Sequence, residues 1–164
     1  MLEVGSGPIP SLGISHPTRR VEVIATDVLA KQYDRLLKWR GITPPVRAVY
    51  ADMERLSSHF GSGVFDLVYA SNCVDHTENA LLAILEMVAV LRPGGHVIMD
   101  HMVDEGAQQD YAGLHRWNMN ASDGRLLLWN ERARHDIGQV LGASCEIRAG
   151  CTDGIVTAEI RRLA

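Results

Sequence analysis

The stretch LEVGSGP, residues 2–8, constrains this chain more than any other. Leu2 and Val4 flank Glu3 and run straight into a Gly-x-Gly turn at Gly5 and Gly7. A short buried strand that ends in two glycines leaves bare backbone at the turn. Glycine accepts positive φ and has no Cβ to hold a ligand away. In an open α/β sheet such a turn lies beyond the carboxyl ends of the strands, where ligands bind. An ordinary tight turn would use the same residues, so the remainder of the chain decides between the two.

Hydrophobic patterning after this turn predicts alternating strands and helices. Val21–Thr26 is β-branched and apolar and reads as a second strand. Leu29–Trp39 carries Leu29, Tyr33, Leu36 and Leu37 at helical spacing, closed by Gly41 and Pro44-Pro45. Val46–Tyr50 reads as a third strand and Asp66–Ser71 as a fourth. A helix capped by Thr77 or Asn79 runs to about Leu91, is apolar almost all round, and turns Glu86 outward. Pro93-Gly94-Gly95 then turns the chain into a fifth strand, His96–Asp100. Such alternation implies parallel pairing through right-handed crossovers. In the tail, Arg125–Trp129 reads as a strand or docked loop. Glu131–Leu141 reads as a helix capped by Asn130. Ser144–Arg148 and Ile155–Arg162 form a hairpin around Cys151–Gly154. The predicted fold class is therefore α/β: a doubly wound, Rossmann-like, mostly parallel sheet with an antiparallel C-terminal hairpin.

Two further strand ends carry chemistry. Asp27 closes the second strand about twenty residues after the glycines, where a carboxylate can accept both hydroxyls of a ribose or cap the following helix. Asp52-Met53 follows the third strand, and there a carboxylate can meet an adenine amino group while Met covers the ring. A capping Asp beside a core Met would look the same. The order of the three features along consecutive strand ends favours a nucleoside ligand. A dinucleotide fingerprint needs a third glycine where Pro10 stands, and Pro8 interrupts the helix start. A ligand with an ammonium in place of a pyrophosphate suits the turn better, because Glu3 supplies a carboxylate for it, directly or through water.

At these residues the chain resembles a known family. LEVGSGP, ATDVLAKQY, ADME, FDLVYASNCVDH and VLRPGGHVIMDH arrive in the order seen in class I S-adenosylmethionine-dependent methyltransferases, over about Leu2–His101. The resemblance implies a seven-stranded sheet with an antiparallel last strand and S-adenosyl-L-methionine as cofactor. Carried over by motif, Glu3, Gly5, Ser6 and Gly7 hold the methionyl part. Asp27 holds the ribose, and Val28 or Leu29 lies against the adenine. Asp52 and Met53 face the adenine edge, and Ser71 and Asn72 lie beneath the sulfonium. Three departures stand out. The third glycine of the first motif falls at Ile9. The first crossover, Pro8–Arg20, is short and rich in proline. The single domain, 1–164, has no helical segment before its first strand, from which an open site and weak cofactor binding are expected.

Methyl transfer asks the protein mainly to position a nucleophile, and an oxygen or nitrogen nucleophile also needs a base. His76, just past the fourth strand in NCVDHTEN, is the candidate base, with Asp75 beside it. The alternative is a helix cap beside a rim histidine. His101 ends the fifth strand with Asp104 and Glu105 close behind; their spacing matches no metal motif, so solvated loop charge is expected and no metal is assigned. His101 is a candidate substrate contact. Tyr111, His115 and Trp117 lie in YAGLHRWN, a cluster of aromatic and hydrogen-bonding groups in a chain with 5% aromatics, and are the other candidates.

Composition excludes several functions. A net charge of −4 without a Lys/Arg cluster disfavours nucleic acid and anionic membranes. The longest apolar stretch, Ala80–Leu91, is too short to span a bilayer. No signal-peptide pattern opens the chain, and Cys73, Cys145 and Cys151 form no C-x-x-C pair, so a reducing cytoplasm is expected. The expected acceptor is a small molecule or a cell-envelope or polysaccharide precursor. A homodimer is the one protein partnership left open. Two rival functions share the fold: a catalytically inactive S-adenosylmethionine-binding module and a nicotinamide-dependent oxidoreductase.

Overall fold

The computed structural model describes residues 1–13 and 15–164. In chain order its elements are β1 (Leu2–Val4), β2 (Ile24–Thr26), α1 (Ala30–Arg40), α2 (Leu56–Phe60), β3 (Phe65–Ser71), α3 (Ala80–Ala89), β4 (Leu91–Met102), α4 (Glu105–Gln108), β5 (Asn118–Ser122), β6 (Arg125–Trp129), β7 (Arg134–Asp136), α5 (Ile137–Leu141), β8 (Cys145–Thr152) and β9 (Ile155–Arg162). The main sheet has six strands in the order β2-β1-β3-β4-β9-β8. Pairing is parallel from β2 to β4 and antiparallel across β4, β9 and β8, as the sequence pattern implies.

β1 has only three residues, yet it sits between β2 and β3 with Leu2 and Val4 wholly buried. Each such side chain contributes about 1.5–3 kcal/mol relative to exposure. Val68, Ala70, Val97, Met99, Ala158 and Ile160 continue that face and pack against Ala80, Ile84 and Met87 of α3. Asn79 accepts from Leu82 N–H and so caps α3. The opposite face carries Tyr69, Ile98 and Asp100, which remain half-buried.

Several elements depart from the sequence expectation. Val46–Tyr50 forms no ladder: its pairing shrinks to one parallel bridge, Thr26 with Val49, beyond β2. Two prolines and the exposed Arg47–Asp34 ion pair sit where a strand would have to begin. The second strand itself starts only at Ile24. α3 stops at Ala89, and Pro93-Gly94-Gly95 is looped out inside β4, between the Phe65–Leu91 and Leu67–His96 pairs. Glu86 is not turned to solvent; it accepts from the Ser57 N–H and hydroxyl and ties α2 to α3. Glu131–Leu141 is not one helix. Asn130 accepts from Arg132 and Ala133 N–H and reverses the chain, so that Arg134–Asp136 pairs with β6. Only Ile137–Leu141 is helical, capped by Asp136. β5, β6 and β7 thus form a second, antiparallel sheet that sends Met119, Leu126 and Leu128 into the common core.

No helix or strand forms between β1 and β2 among the described residues, as the prolines of that crossover predict. Among the described residues no helix is long and apolar enough to cross a membrane.

Candidate active site

The glycine turn and the second strand end meet directly. Gly5 and Gly7 have φ of 59° and 65°. Gly7 N–H donates to Asp27 Oδ2 at 3.1 Å, and Ser6 N–H donates to Thr26 C=O at 3.0 Å. Leu29 N–H donates to Asp27 Oδ1 at 2.8 Å, so this carboxylate also organises the start of α1. Each of its oxygens keeps a second lone pair for a hydroxyl donor. Val28 and Leu29 stand beside it 51% and 40% exposed, an apolar pair open to solvent on one side. A Cβ on Gly7 would meet nothing within 4 Å, so the turn faces open space. Gly5 is the opposite case: a Cβ there would stand 2.5 Å from Cys73 Cβ and 3.2 Å from Met53 Cε. Gly5, Met53 and Cys73 are therefore packed together below the turn. Asp52 caps the short turn that begins at Met53 by accepting from Glu54 N–H at 2.9 Å.

Glu3 is buried, and both of its oxygens are engaged. They accept from Ser11 N–H at 2.7 Å and Leu12 N–H at 2.9 Å. The carboxylate holds the crossover loop down on β1, and each of its oxygens, like those of Asp27, keeps a second lone pair. Ser71 donates to Asp100 Oδ2 at 2.7 Å and Tyr69 to Asp100 Oδ1 at 2.6 Å. Burial, with Asp100 beside it, holds the Tyr69 phenol above its ordinary pKa. Asn72, at φ 45°, accepts from Met102 N–H and joins the ends of β3 and β4. These residues carry a rim that would suit a nucleoside bonded to an amino acid: open backbone at Gly7, a hydroxyl acceptor at Asp27, a half-exposed apolar pair next to it.

A second group of side chains gathers beyond β3 and β4. Asp75 is buried and accepts from or ion-pairs with His115 Nδ1 at 2.8 Å. His76 Nε2 lies 3.4 Å from the same Asp75 oxygen, without hydrogen-bond alignment, and its ring stacks edge-on to His115 with centroids 4.8 Å apart. Glu105 Oε1, at the start of α4, is 3.7 Å from His115 Nδ1. His101 is buried, and burial holds its imidazole pKa down to about 4 against the pull of Asp75 and Asp100. It is therefore a neutral residue behind the site and makes no surface for a substrate. Asp104 is not solvated loop charge: it accepts from Trp129 Nε1 at 3.0 Å and Asn120 Nδ2 at 2.7 Å, locking the second sheet to the end of β4.

Tyr111–Trp117 is turn and loop, ahead of β5. Trp117 is a core residue whose indole N–H donates to Glu78 C=O. Its edge, with Tyr111, Arg116, Asn130 and Arg132, lines a cavity of about 300 Å³ next to the Asp75 turn. The Tyr111 hydroxyl accepts from Asn118 Nδ2. Glu105 and Asp100 are the two residues whose roles spacing alone does not reveal. Each works through partners 10 or more positions away.

Comparison with known proteins fits this geometry. Residues 2–99 match the family model described as "Methyltransferase domain". No curated protein matches the sequence. Among solved structures, an S-adenosylmethionine-dependent methyltransferase from Clostridium acetobutylicum ATCC 824 is 12% identical, with a TM-score of 0.55 over 99% of this chain and 83% of that one. The PH0226 protein of Pyrococcus horikoshii OT3 is 15% identical, with a TM-score of 0.58 over 99% and 81%. The trans-methyltransferase CalH, solved with SAH, is 17% identical, with a TM-score of 0.62 over 99% of this chain and 51% of that one. At those identities the structures establish a shared fold, while the family model covers more than half of the sequence. The chain belongs to the methyltransferase domain family and is a class I, S-adenosylmethionine-dependent enzyme.

Proposed function

We propose that the protein transfers a methyl group to a small-molecule acceptor, or to a precursor of a cell-envelope or polysaccharide component, bound beside the Asp75–His76 turn. When bound, S-adenosyl-L-methionine supplies a methyl group activated on a positively charged sulfur. Gly5, Ser6 and Gly7 hold its methionyl part on bare backbone. Asp27 takes the ribose hydroxyls, Val28 and Leu29 cover the adenine, and Asp52 and Met53 meet its edge. Ser71 and Asn72, held by Asp100 and by Met102 N–H, form the floor on the acceptor side. The observation that carries this reading is the Gly7–Asp27 hydrogen bond, which joins the first-turn glycines and the second strand's carboxylate in one rim.

On the acceptor side, Asp75 orients His115 and lies against His76, and this group weakens or accepts the proton that an oxygen or nitrogen nucleophile must lose. His76 is its most exposed member, at 34%, and meets the acceptor. The neighbouring cavity at Tyr111 and Arg116 has the volume of a small molecule and none of the basic width a polynucleotide needs.

Calorimetric titration with S-adenosylhomocysteine tests the cofactor half. Binding to the wild type and loss of about 10-fold or more in Asp27→Ala is the expected result, since two charge-assisted hydrogen bonds go with that carboxylate. Transfer of labelled methyl across a metabolite panel, with His76→Ala as control, tests the rest. Cofactor binding with no acceptor turned over by any panel member would leave a binding module instead. A rise in melting temperature with NAD but none with S-adenosylhomocysteine would refute the cofactor assignment.

A further inference from the structure

Four buried polar atoms without a hydrogen-bond partner occur in one small region: Asp75 Oδ1, His76 Nε2, His101 Nε2 and Glu105 Oε2. Such atoms are rare in folded proteins, because each costs about 1–3 kcal/mol of lost solvation. Their chemistry is also uniform. All belong to imidazoles or carboxylates, the side chains that bind divalent metals. Asp75 is 6% exposed at its side chain and Glu105 13%, so water does not replace the missing partners freely.

The spacing has a second property. One ligand atom from each of Asp75, His76 and His115 lies within 4.8 Å of the other two. Ligands bound at about 2.1 Å to a shared ion stand about 3.0–3.4 Å apart, for right-angle and tetrahedral geometry respectively. The observed separations from Asp75 Oδ2 are 2.8 Å to His115 Nδ1 and 3.4 Å to His76 Nε2, and Glu105 Oε1 is 3.7 Å from His115 Nδ1. The 2.8 Å Asp75–His115 pair is a hydrogen bond, whereas His76 Nε2 and Asp75 Oδ1 have no hydrogen-bond partner, so hydrogen bonds within the group do not satisfy it.

We infer that Asp75, His76 and His115 form a binding site for one divalent transition-metal ion, with Glu105 as a fourth ligand. Two imidazoles and a carboxylate suit Zn²⁺, Fe²⁺, Co²⁺ or Ni²⁺ better than Mg²⁺ or Ca²⁺. The ligands come from three separate places: the turn after β3, the start of α4 and the loop before β5. The ion therefore ties the second sheet's approach to the end of the parallel sheet. His101 stands behind as a neutral, buried neighbour of Asp75. A positive ion there lowers the pKa of any oxygen bound to it, which is the service the acceptor needs. That use rests on the proposed function; the metal site does not.

The experiment is a titration of the full, metal-stripped chain with Co²⁺, followed by its visible d–d absorption, beside calorimetry with S-adenosylhomocysteine on the same samples. One Co²⁺ per chain is expected. His76→Gln and His115→Gln are expected to weaken it by more than about 100-fold, since loss of an outer-shell partner alone costs 10–100-fold. Unchanged S-adenosylhomocysteine binding shows that both variants are folded. Wild-type chain that binds S-adenosylhomocysteine but gives no Co²⁺ absorption overturns the metal site and leaves the methyl-transfer reading intact. Absorption that survives in both variants also overturns it, by locating the ion elsewhere. Co²⁺ bound as expected with no S-adenosylhomocysteine bound supports the site and refutes the cofactor reading.

Discussion

The two glycines of the first turn have opposite surroundings, and substitution by alanine separates stability from ligand access. Both sit at positive φ, where a Cβ costs about 1–2 kcal/mol. At Gly7 nothing else is added, because a Cβ meets no atom within 4 Å. At Gly5 the Cβ would stand 2.5 Å from Cys73 Cβ and 2.7 Å from its sulfur, distances that real atoms do not adopt. Cys73 is buried and its thiol donates to Val4 C=O at 3.4 Å, so it cannot swing away without breaking contact with β1. Overpacking of this kind adds about 1–3 kcal/mol. Gly5→Ala should therefore cost about 2–5 kcal/mol and Gly7→Ala about 1–2 kcal/mol. For a chain of this length each kcal/mol lowers Tm by about 2–4 °C. Thermal denaturation should then show a fall of about 10 °C for Gly5→Ala and of about 4 °C for Gly7→Ala. Calorimetry should show the reverse ranking once both are measured below their transitions: Gly7→Ala loses S-adenosylhomocysteine affinity out of proportion to its stability, because its methyl points into the open side of the turn. Equal Tm values for the two variants would refute the packing argument. Unaltered affinity in Gly7→Ala would refute the placement of the ligand.

Three other outcomes follow from particular contacts. Burial, reinforced by the nearby Asp75 and Asp27 charges, holds the Cys73 thiol far above its ordinary pKa, so Ellman's reagent at pH 8 should leave Cys73 unreacted in the folded protein while the exposed Cys151 reacts, and should count three thiols only in denaturant. Asp104→Ala removes the acceptor for both Trp129 Nε1 and Asn120 Nδ2, and urea denaturation should show a loss of about 1.5–3 kcal/mol; a change below about 0.5 kcal/mol would mean that the second sheet is held without it. His101 has its folded pKa depressed to about 4 from 6.5, so the unfolded chain takes up a proton first as pH falls; its contribution is intact above pH 6.5 and is lost progressively down to pH 4, by about 3 kcal/mol in all. Stability curves for wild type and His101→Gln in EDTA should diverge in slope over that window, and parallel curves would contradict it.

The parallel half of the fold is legible in the sequence because its signals are local. Leu2–Val4 runs into glycines, Asn79 caps an apolar helix, and the alternation of Val97 and Met99 with half-buried neighbours follows from a period of two. The antiparallel tail is less legible for a definite reason. Glu131–Leu141 has apolar residues at helical spacing, and nothing within that segment says that β6 has an open edge awaiting a partner. Asn130 was legible as a cap; that its side chain would instead reverse the chain depends on where Leu127 and Trp129 already are. Tertiary pairing overrides local propensity at such places.

The same distinction divides the site. Gly5, Gly7 and Asp27 stand at strand ends in chain order, so topology alone predicts that they share a rim, while Met53 follows a segment that keeps a single bridge and reaches Gly5 by packing. The Asp75–His115 contact spans 40 residues and passes through two loops, and no periodicity encodes it. What makes that contact consequential is invisible to spacing of any kind: a buried carboxylate already satisfied on one oxygen and unsatisfied on the other, beside two imidazoles and a second carboxylate. Partial satisfaction of buried polar groups is costly, and a water, a substrate atom or an ion can complete such a shell. On the proposed function, the methyl acceptor binds at this end of the sheet. If an ion does complete the shell, a preformed positive charge stands where the acceptor must become a nucleophile, and substitution of Asp75 by Asn should lower Co²⁺ binding and turnover together. Loss of turnover with Co²⁺ binding unchanged would separate the two and return the proton-transfer role to the imidazoles alone.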